Sequence, residues 1–159
     1  MAEKAPPDLS AVEFALHLRE YHHTGLWEEQ KHFTWLISLI LSAELLALSS
    51  DSLSHGMRDA IVLLASLVGL AMSHIAIRIQ HKEGSYFTHA NKLFVQEFNE
   101  AFPGPLELRS VEDSHSRVRT FLRAVRGTGG VRDHFELLFL IFWTAFLALA
   151  VLAAVRLLR

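Results

Sequence analysis

The sequence predicts an all-α integral membrane protein with three transmembrane helices and long cytoplasmic amphipathic helices. The chain has 159 residues, 51% of them hydrophobic, and its mean hydropathy is positive at +0.26. Three apolar stretches each approach or exceed the roughly 20 residues that a helix needs to cross a bilayer. Basic residues are concentrated between the second stretch and the third, which is typical of a cytoplasmic segment.

The N-terminal segment, residues 1–32, predicts a cytoplasmic helix that leads into the first span. Ser10 and Glu13 fit a capping box, so we expect the helix to begin at Ala11. Charged and histidine side chains then recur through the rest of this segment, as on an amphipathic helix. The helix is expected to enter the bilayer at Phe33.

Residues 33–80 predict a transmembrane hairpin. Its spans cover about 33–50 and 57–79, and the first span carries a single charged residue, Glu44. The connection between the spans is rich in serine and aspartate, as turns are. A tight turn therefore joins two antiparallel membrane helices.

Residues 81–133 predict a cytoplasmic helical segment, and residues 134–159 predict the third transmembrane helix. From Tyr86 to Phe102, apolar side chains recur at helical spacing. Farther along, four arginines share one side of an amphipathic pattern and predict binding to anionic lipid headgroups. They are Arg117, Arg119, Arg123 and Arg126.

The distribution of basic residues predicts the orientation in the membrane. The segment from Arg78 to Asp133 holds nine: Arg78, Lys82, Lys92, Arg109, Arg117, Arg119, Arg123, Arg126 and Arg132. The loop between the first two spans holds only the flanking Arg58. The long segment and the N-terminus are therefore expected in the cytoplasm and the C-terminus outside, although Arg156 and Arg159 favour the opposite orientation.

Two features predict an ion pathway. Glu44 is the one carboxylate well inside an apolar span, where burial of a charge costs about 2.5–3.5 kcal/mol. Alternatively, Glu44 reaches the outer headgroups or caps a neighbouring helix. His74, Arg78 and His81 lie at i, i+4 and i+7 and form one helical stripe at the cytoplasmic rim, although an arginine near a span end also snorkels to the headgroups.

Small residues within the spans predict contacts between subunits. A single chain with three spans is too small to enclose an aqueous path, so transport requires a ring of copies. The predicted oligomer contacts lie in the first two spans and are Ser38, Ser42, Ser66 and Gly69. The chain's main protein partner is therefore expected to be a second copy of itself.

Composition excludes several classes of function. The chain has no cysteine and a formal net charge of -2 at pH 7, so neither thiolate metal sites nor a dedicated nucleic-acid binder is expected. We predict no enzyme, and thus no catalytic residue, metal site or cofactor. Two enzyme alternatives stay open: Arg109 and His115 have a spacing that resembles the active-site motif of HEPN ribonucleases, and Glu13 with His17 has a spacing that allows a shared metal.

Three features of residues 11–103 carry a family resemblance. They are the polar segment Trp27–Phe33 before the first span, the glycine-containing Leu67–Leu70 in the second, and the exit Tyr86–Phe94 followed by Glu97 and Pro103. This series resembles the RipA-like family of small oligomeric membrane proteins. More distantly, it resembles the two-helix membrane effectors called SLATT domains, which are associated with nucleotide-signalled bacterial immunity. The resemblance implies oligomerisation and, for the effectors, ion leakage that harms the host cell.

Together these features predict a homo-oligomeric membrane pore or channel. The resemblance implies that it acts as a defence or stress effector that permeabilises the membrane. A cytoplasmic signalling partner is expected to gate it. The alternative is a membrane-anchored interaction or scaffold subunit, whose helices recruit another protein.

Overall fold

The computed structural model describes residues 9–103, 108 and 131–158, and all regular structure among them is α-helical. The helices are α1 (Leu9–Ser49), α2 (His55–Ala101) and α3 (Val131–Leu157). Each contains a stretch that is long and apolar enough to cross a membrane. The prediction of an all-α chain with three such helices is confirmed.

Helices α1 and α2 are longer than the spans predicted within them. α1 begins at Leu9, two residues before the expected start, and continues through the whole first apolar stretch. α2 continues without a break to Ala101, so the helix predicted from Tyr86 is the C-terminal part of α2. Gly84 does not interrupt it, because one glycine costs only about 1 kcal/mol in a helix interior. The Thr88 hydroxyl also donates a hydrogen bond to the Gly84 carbonyl at 2.9 Å.

A short polar turn joins α1 to α2. Ser54 precedes the first residue of α2, and its hydroxyl oxygen accepts a hydrogen bond from the Met57 backbone N–H at 3.4 Å, which caps the helix. The Arg58 guanidinium donates to the Ser50 carbonyl at 2.5 Å and thereby binds the start of α2 to the end of α1. The serine-rich composition therefore supplies the polar partners that the turn and the helix start require.

The chain divides into two compact units. The first consists of Met1–Glu28 and His81–His115, and the second of Glu29–Gln80 and Ser116–Arg159. The described part of the second unit contains portions of all three helices, and the described part of the first contains portions of α1 and α2.

Two apolar clusters form the core of the second unit. One contains Ile37, Ala76, Phe139 and Phe146, and the other contains Ala47, Val62 and Ala153. The first cluster contains the α2 residue of higher number and the α1 and α3 residues of lower number, and the second cluster has the reverse order. The apolar stretch of α2 therefore runs antiparallel to those of both other helices.

The buried residues of α2 in this unit recur at alternating intervals of three and four residues, which is a heptad pattern. It consists mainly of small or polar residues: Asp59, Val62, Ser66, Gly69, Ser73, Ala76 and Gln80. Small residues at these positions allow neighbouring helices to approach closely, which is how helices associate in a bilayer. We name these seven residues the α2 seam.

Gly69 shows how tight this packing is. A Cβ atom built at Gly69 would lie 2.6 Å from ring atoms of Phe146, a separation that real Cβ atoms essentially never show. Phe146 is fully buried, so its ring has no free space into which to move. Gly25, in contrast, has no atom within 4 Å of such a Cβ.

We therefore expect opposite effects from the same substitution at the two glycines. Gly69→Ala should lower the free energy of unfolding by about 1–3 kcal/mol, because it overpacks a filled core. Gly25→Ala should raise it by up to about 1 kcal/mol, because alanine favours an exposed helix interior. Unfolding of the detergent-solubilised protein by a denaturing detergent, followed by circular dichroism, measures both.

Phe146→Leu tests whether contact with the Phe146 ring causes the destabilisation by Gly69→Ala. If the clash with the ring is responsible, adding Phe146→Leu to Gly69→Ala should cost less than the sum of the two single substitutions. Additive losses would contradict the contact between Gly69 and Phe146.

Candidate functional site

The α2 seam meets a carboxyl group from α1 inside the second unit. The Ser66 hydroxyl donates a hydrogen bond to Glu44 Oε1 at 2.5 Å, and both side chains are fully buried. Along α1, Glu44 lies between Ile37 of one apolar cluster and Ala47 of the other. A polar contact thus separates the two clusters of the core.

The remaining polar atoms around this contact are poorly satisfied. Within the described residues, Glu44 Oε2 has no hydrogen-bond partner, and neither has the buried Ser73 hydroxyl. No basic residue occurs in 33–49, 59–73 or 137–155, the helical stretches that form this part of the bundle. The Glu44 carboxyl therefore has one hydroxyl donor and no basic partner among the described residues.

The second buried carboxylate of the unit has a different environment. Asp59, at the start of the α2 seam, lies 3.8 Å from the Arg156 guanidinium of α3. The Asp59 side chain is 12% exposed, whereas that of Arg156 is 53% exposed and extends to the surface. Asp59 thus has a counter-ion within its own chain, and Glu44 has none among the described residues.

The structure separates the residues predicted to line an ion pathway. His74 and Arg78 are exposed on the outer face of α2 in the second unit, whereas Glu44 is enclosed within that unit. His81 is half-buried and belongs to the first unit. In this conformation, Glu44 therefore does not share a surface with His74 and Arg78.

The residues predicted to form oligomer contacts also fall into two groups. Ser38 and Ser42 are exposed, and their hydroxyls donate to the carbonyls of Thr34 and Ser38 at 2.7 and 2.8 Å. Both serines therefore present small surfaces whose hydroxyls are already satisfied. Ser66 and Gly69, in contrast, are buried against other helices of the same chain.

The first unit is held together by contacts between basic and aromatic side chains of α1 and α2. The Arg19 guanidinium carbon lies 5.4 Å from the centroid of the Phe94 ring, which is cation–π geometry. His22 lies 3.5 Å from the Glu83 carboxylate and its ring centroid is 5.5 Å from that of Tyr86. The sequence predicted the aromatic positions on α2, but it did not indicate that Arg19 and His22 of α1 contact them.

The outer face of α1 in this unit presents two large aromatic side chains. Phe14 is 65% exposed and Tyr21 is 74% exposed. They are seven residues apart, so they lie on the same face of the helix, two turns from each other. Both rings are therefore available for contact with another protein or helix.

Several predicted residues lie outside the described part of the chain. They comprise the ribonuclease-like pair Arg109 and His115 and the lipid-binding arginines Arg117, Arg119, Arg123 and Arg126. Among the described residues, no three histidine, aspartate or glutamate side chains are grouped so that they could hold a metal ion.

Comparison with family models, curated proteins and solved structures gives no match for this chain. The fold alone therefore defines the class of protein. The part of the chain that the structure describes is all-helical and contains three helices that are long and apolar enough to span a membrane. The buried Glu44–Ser66 pair and the exposed His74 and Arg78 are the polar features that distinguish its apolar helices.

Because of the Glu44–Ser66 hydrogen bond, we expect serine-to-alanine substitutions at Ser66 and Ser73 of the α2 seam to change the free energy of unfolding by different amounts. Ser66→Ala should lower the free energy of unfolding by about 1 kcal/mol, because it leaves a buried carboxyl without its donor. Ser73→Ala should cost less, since its hydroxyl has no partner among the described residues. Unfolding in detergent measures both, and equal losses would contradict the assigned bond.

Proposed function

We propose that the chain is an integral membrane subunit whose second unit is embedded in the bilayer. The three apolar helices support insertion. The nine basic residues from Arg78 to Arg132 support a cytoplasmic location for that segment and for the N-terminus, with the C-terminus outside. Arg156 and Arg159 favour the opposite orientation, but these two bases are outweighed by the nine.

Single cysteines test this orientation directly, because the natural chain contains none. In intact cells, a membrane-impermeant maleimide should label Ser52→Cys, in the turn between α1 and α2, and should not label Thr24→Cys on α1. Both positions are exposed in the structure. After the cells are opened, both should be labelled, and the reverse pattern in intact cells would contradict the proposed topology.

We further propose that copies of this subunit assemble into a membrane pore. The observation that carries the proposal is the position of polar side chains: those inside the bundle, such as Glu44 and Ser66, are enclosed by packing, whereas His74 and Arg78 are exposed on the outer face of α2. An aqueous path would therefore run between subunits and not through one. Exposed Ser38 and Ser42 offer small surfaces for the contacts between copies.

In such a ring, His74 and Arg78 line the cytoplasmic end of the path. Arginine rings favour anions, so the pore is expected to prefer anions over cations. The four lipid-binding arginines hold the cytoplasmic segment on anionic headgroups, and a cytoplasmic partner gates the pore through the first unit. The resemblance to RipA-like proteins and SLATT effectors supports the oligomer and a role in permeabilising the membrane as a defence or stress effector.

Arg78→Gln tests the lining. A unit positive charge about 4 Å from a passing ion contributes about 1 kcal/mol in water, which favours an anion and disfavours a cation, so the two effects together correspond to roughly 30-fold in the anion-to-cation permeability ratio. We expect the anion-to-cation permeability ratio in planar bilayers to fall by about this factor. Lys92→Gln, which removes an exposed base from the part of α2 in the first unit, is the matched control and should leave the ratio unchanged. Equal ratios for wild type and Arg78→Gln would contradict the lining.

A second function is supported by a different observation. The exposed Phe14 and Tyr21 on α1 favour a membrane-anchored interaction subunit that binds a partner helix. In that case Phe14→Ala with Tyr21→Ala should abolish the biological effect, whereas Arg78→Gln should leave it intact. The converse result would favour the pore.

A further inference from the structure

The Glu44 carboxyl is enclosed without a positive charge to balance it. It is fully buried at the junction of the two apolar clusters of the second unit. Oε1 accepts the hydrogen bond from Ser66, and Oε2 has no partner among the described residues. An ionised carboxylate has acceptor sites for about four hydrogen bonds, so this environment satisfies it poorly.

The charged and titratable groups that face Glu44 are few on every helix packed around it. On α1, no other ionisable residue occurs between Phe33 and Ser49, and on α3 none occurs between Leu137 and Val155. On α2, the nearest are Asp59 towards one end, which is paired with Arg156, and the exposed His74 towards the other.

These surroundings favour the uncharged form of the group. Burial of an unpaired carboxylate in an apolar interior is far more costly than burial of the neutral acid, because only the ion loses a full charge's hydration. Asp59 is the contrasting case, since it lies 3.8 Å from the Arg156 guanidinium. Of these two acids, only Glu44 is buried without a counter-ion among the described residues.

We propose that Glu44 is an intramembrane proton-binding site. The packed bundle holds the side chain as a neutral carboxylic acid, with the proton on Oε2 and the carbonyl oxygen Oε1 accepting the hydrogen bond from Ser66. Separation of α1 from α2 admits water, and the proton then dissociates from Oε2.

Proton binding at this site regulates the bundle. Because the packed state binds one more proton than the separated state, a rise in pH shifts the equilibrium towards separation, and a fall in pH shifts it back. For the pore, this means that proton loss at Glu44 favours opening. That consequence rests on the proposed function, whereas proton binding itself requires only the packed bundle.

Infrared spectroscopy of the full-length protein in lipid vesicles at neutral pH tests the proposal. A protonated carboxylic acid has a carbonyl-stretch band that an ionised carboxylate lacks. We expect this band in the wild type, its loss in Glu44→Gln, and its retention in the matched control Asp59→Asn. Absence of the band from the wild type, or its persistence in Glu44→Gln, would overturn the proposal.

Ser66→Ala provides a second test that keeps the carboxyl in place, and it decides the matter if Glu44→Gln does not fold. Loss of the donor to Oε1 should shift the band to higher frequency. An unshifted band would overturn the assigned site. Conductance measured on the same vesicles separates the two proposals, because a silent protein that shows the band refutes the pore and leaves the proton site standing.

Discussion

The hydrogen bond between Ser66 and Glu44 is the constraint on which the arrangement of the second unit depends. Apolar contacts are not directional, so the clusters on either side of the bond would tolerate a small shift of α1 along α2. The Glu44 carboxyl would not tolerate this shift, because it would be left buried without its hydrogen-bond donor. One polar contact therefore fixes the register between helices that otherwise pack through small and apolar side chains.

The α2 seam explains why this contact is so enclosed. Gly69 brings the Phe146 ring against the helix backbone, and the core clusters fill the space on both sides of the pair. Within the described residues, Glu44 is thus fully enclosed by packed side chains. Polar side chains that could accompany an ion lie instead on the outer face of α2, which is why assembly is central to the proposed function.

Much of the fold could be predicted from the sequence because hydropathy and length alone define the three apolar helices. The continuity of α2 could not, since Gly84 and the polar residues near it mark a boundary by local propensity, whereas the hydrogen-bond ladder of a long helix overrides one weak position. Local propensity therefore predicts a break between two helices, whereas the structure has one continuous helix.

The candidate site was only partly visible in the sequence. Glu44 was identified because a charge in an apolar span is rare, but its partner was not, since Ser66 looks like any small residue suited to a helix contact. The contacts of Arg19 and His22 in the first unit were missed because they depend on which faces of α1 and α2 meet. Such pairings follow from tertiary structure and have no local signature.

The proposed function depends on assembly of the chain into a ring. Native mass spectrometry of the intact complex released from lipid nanodiscs measures the number of chains. We expect a single closed assembly of several identical chains. A protein that leaves the bilayer only as a monomer or a dimer would contradict it.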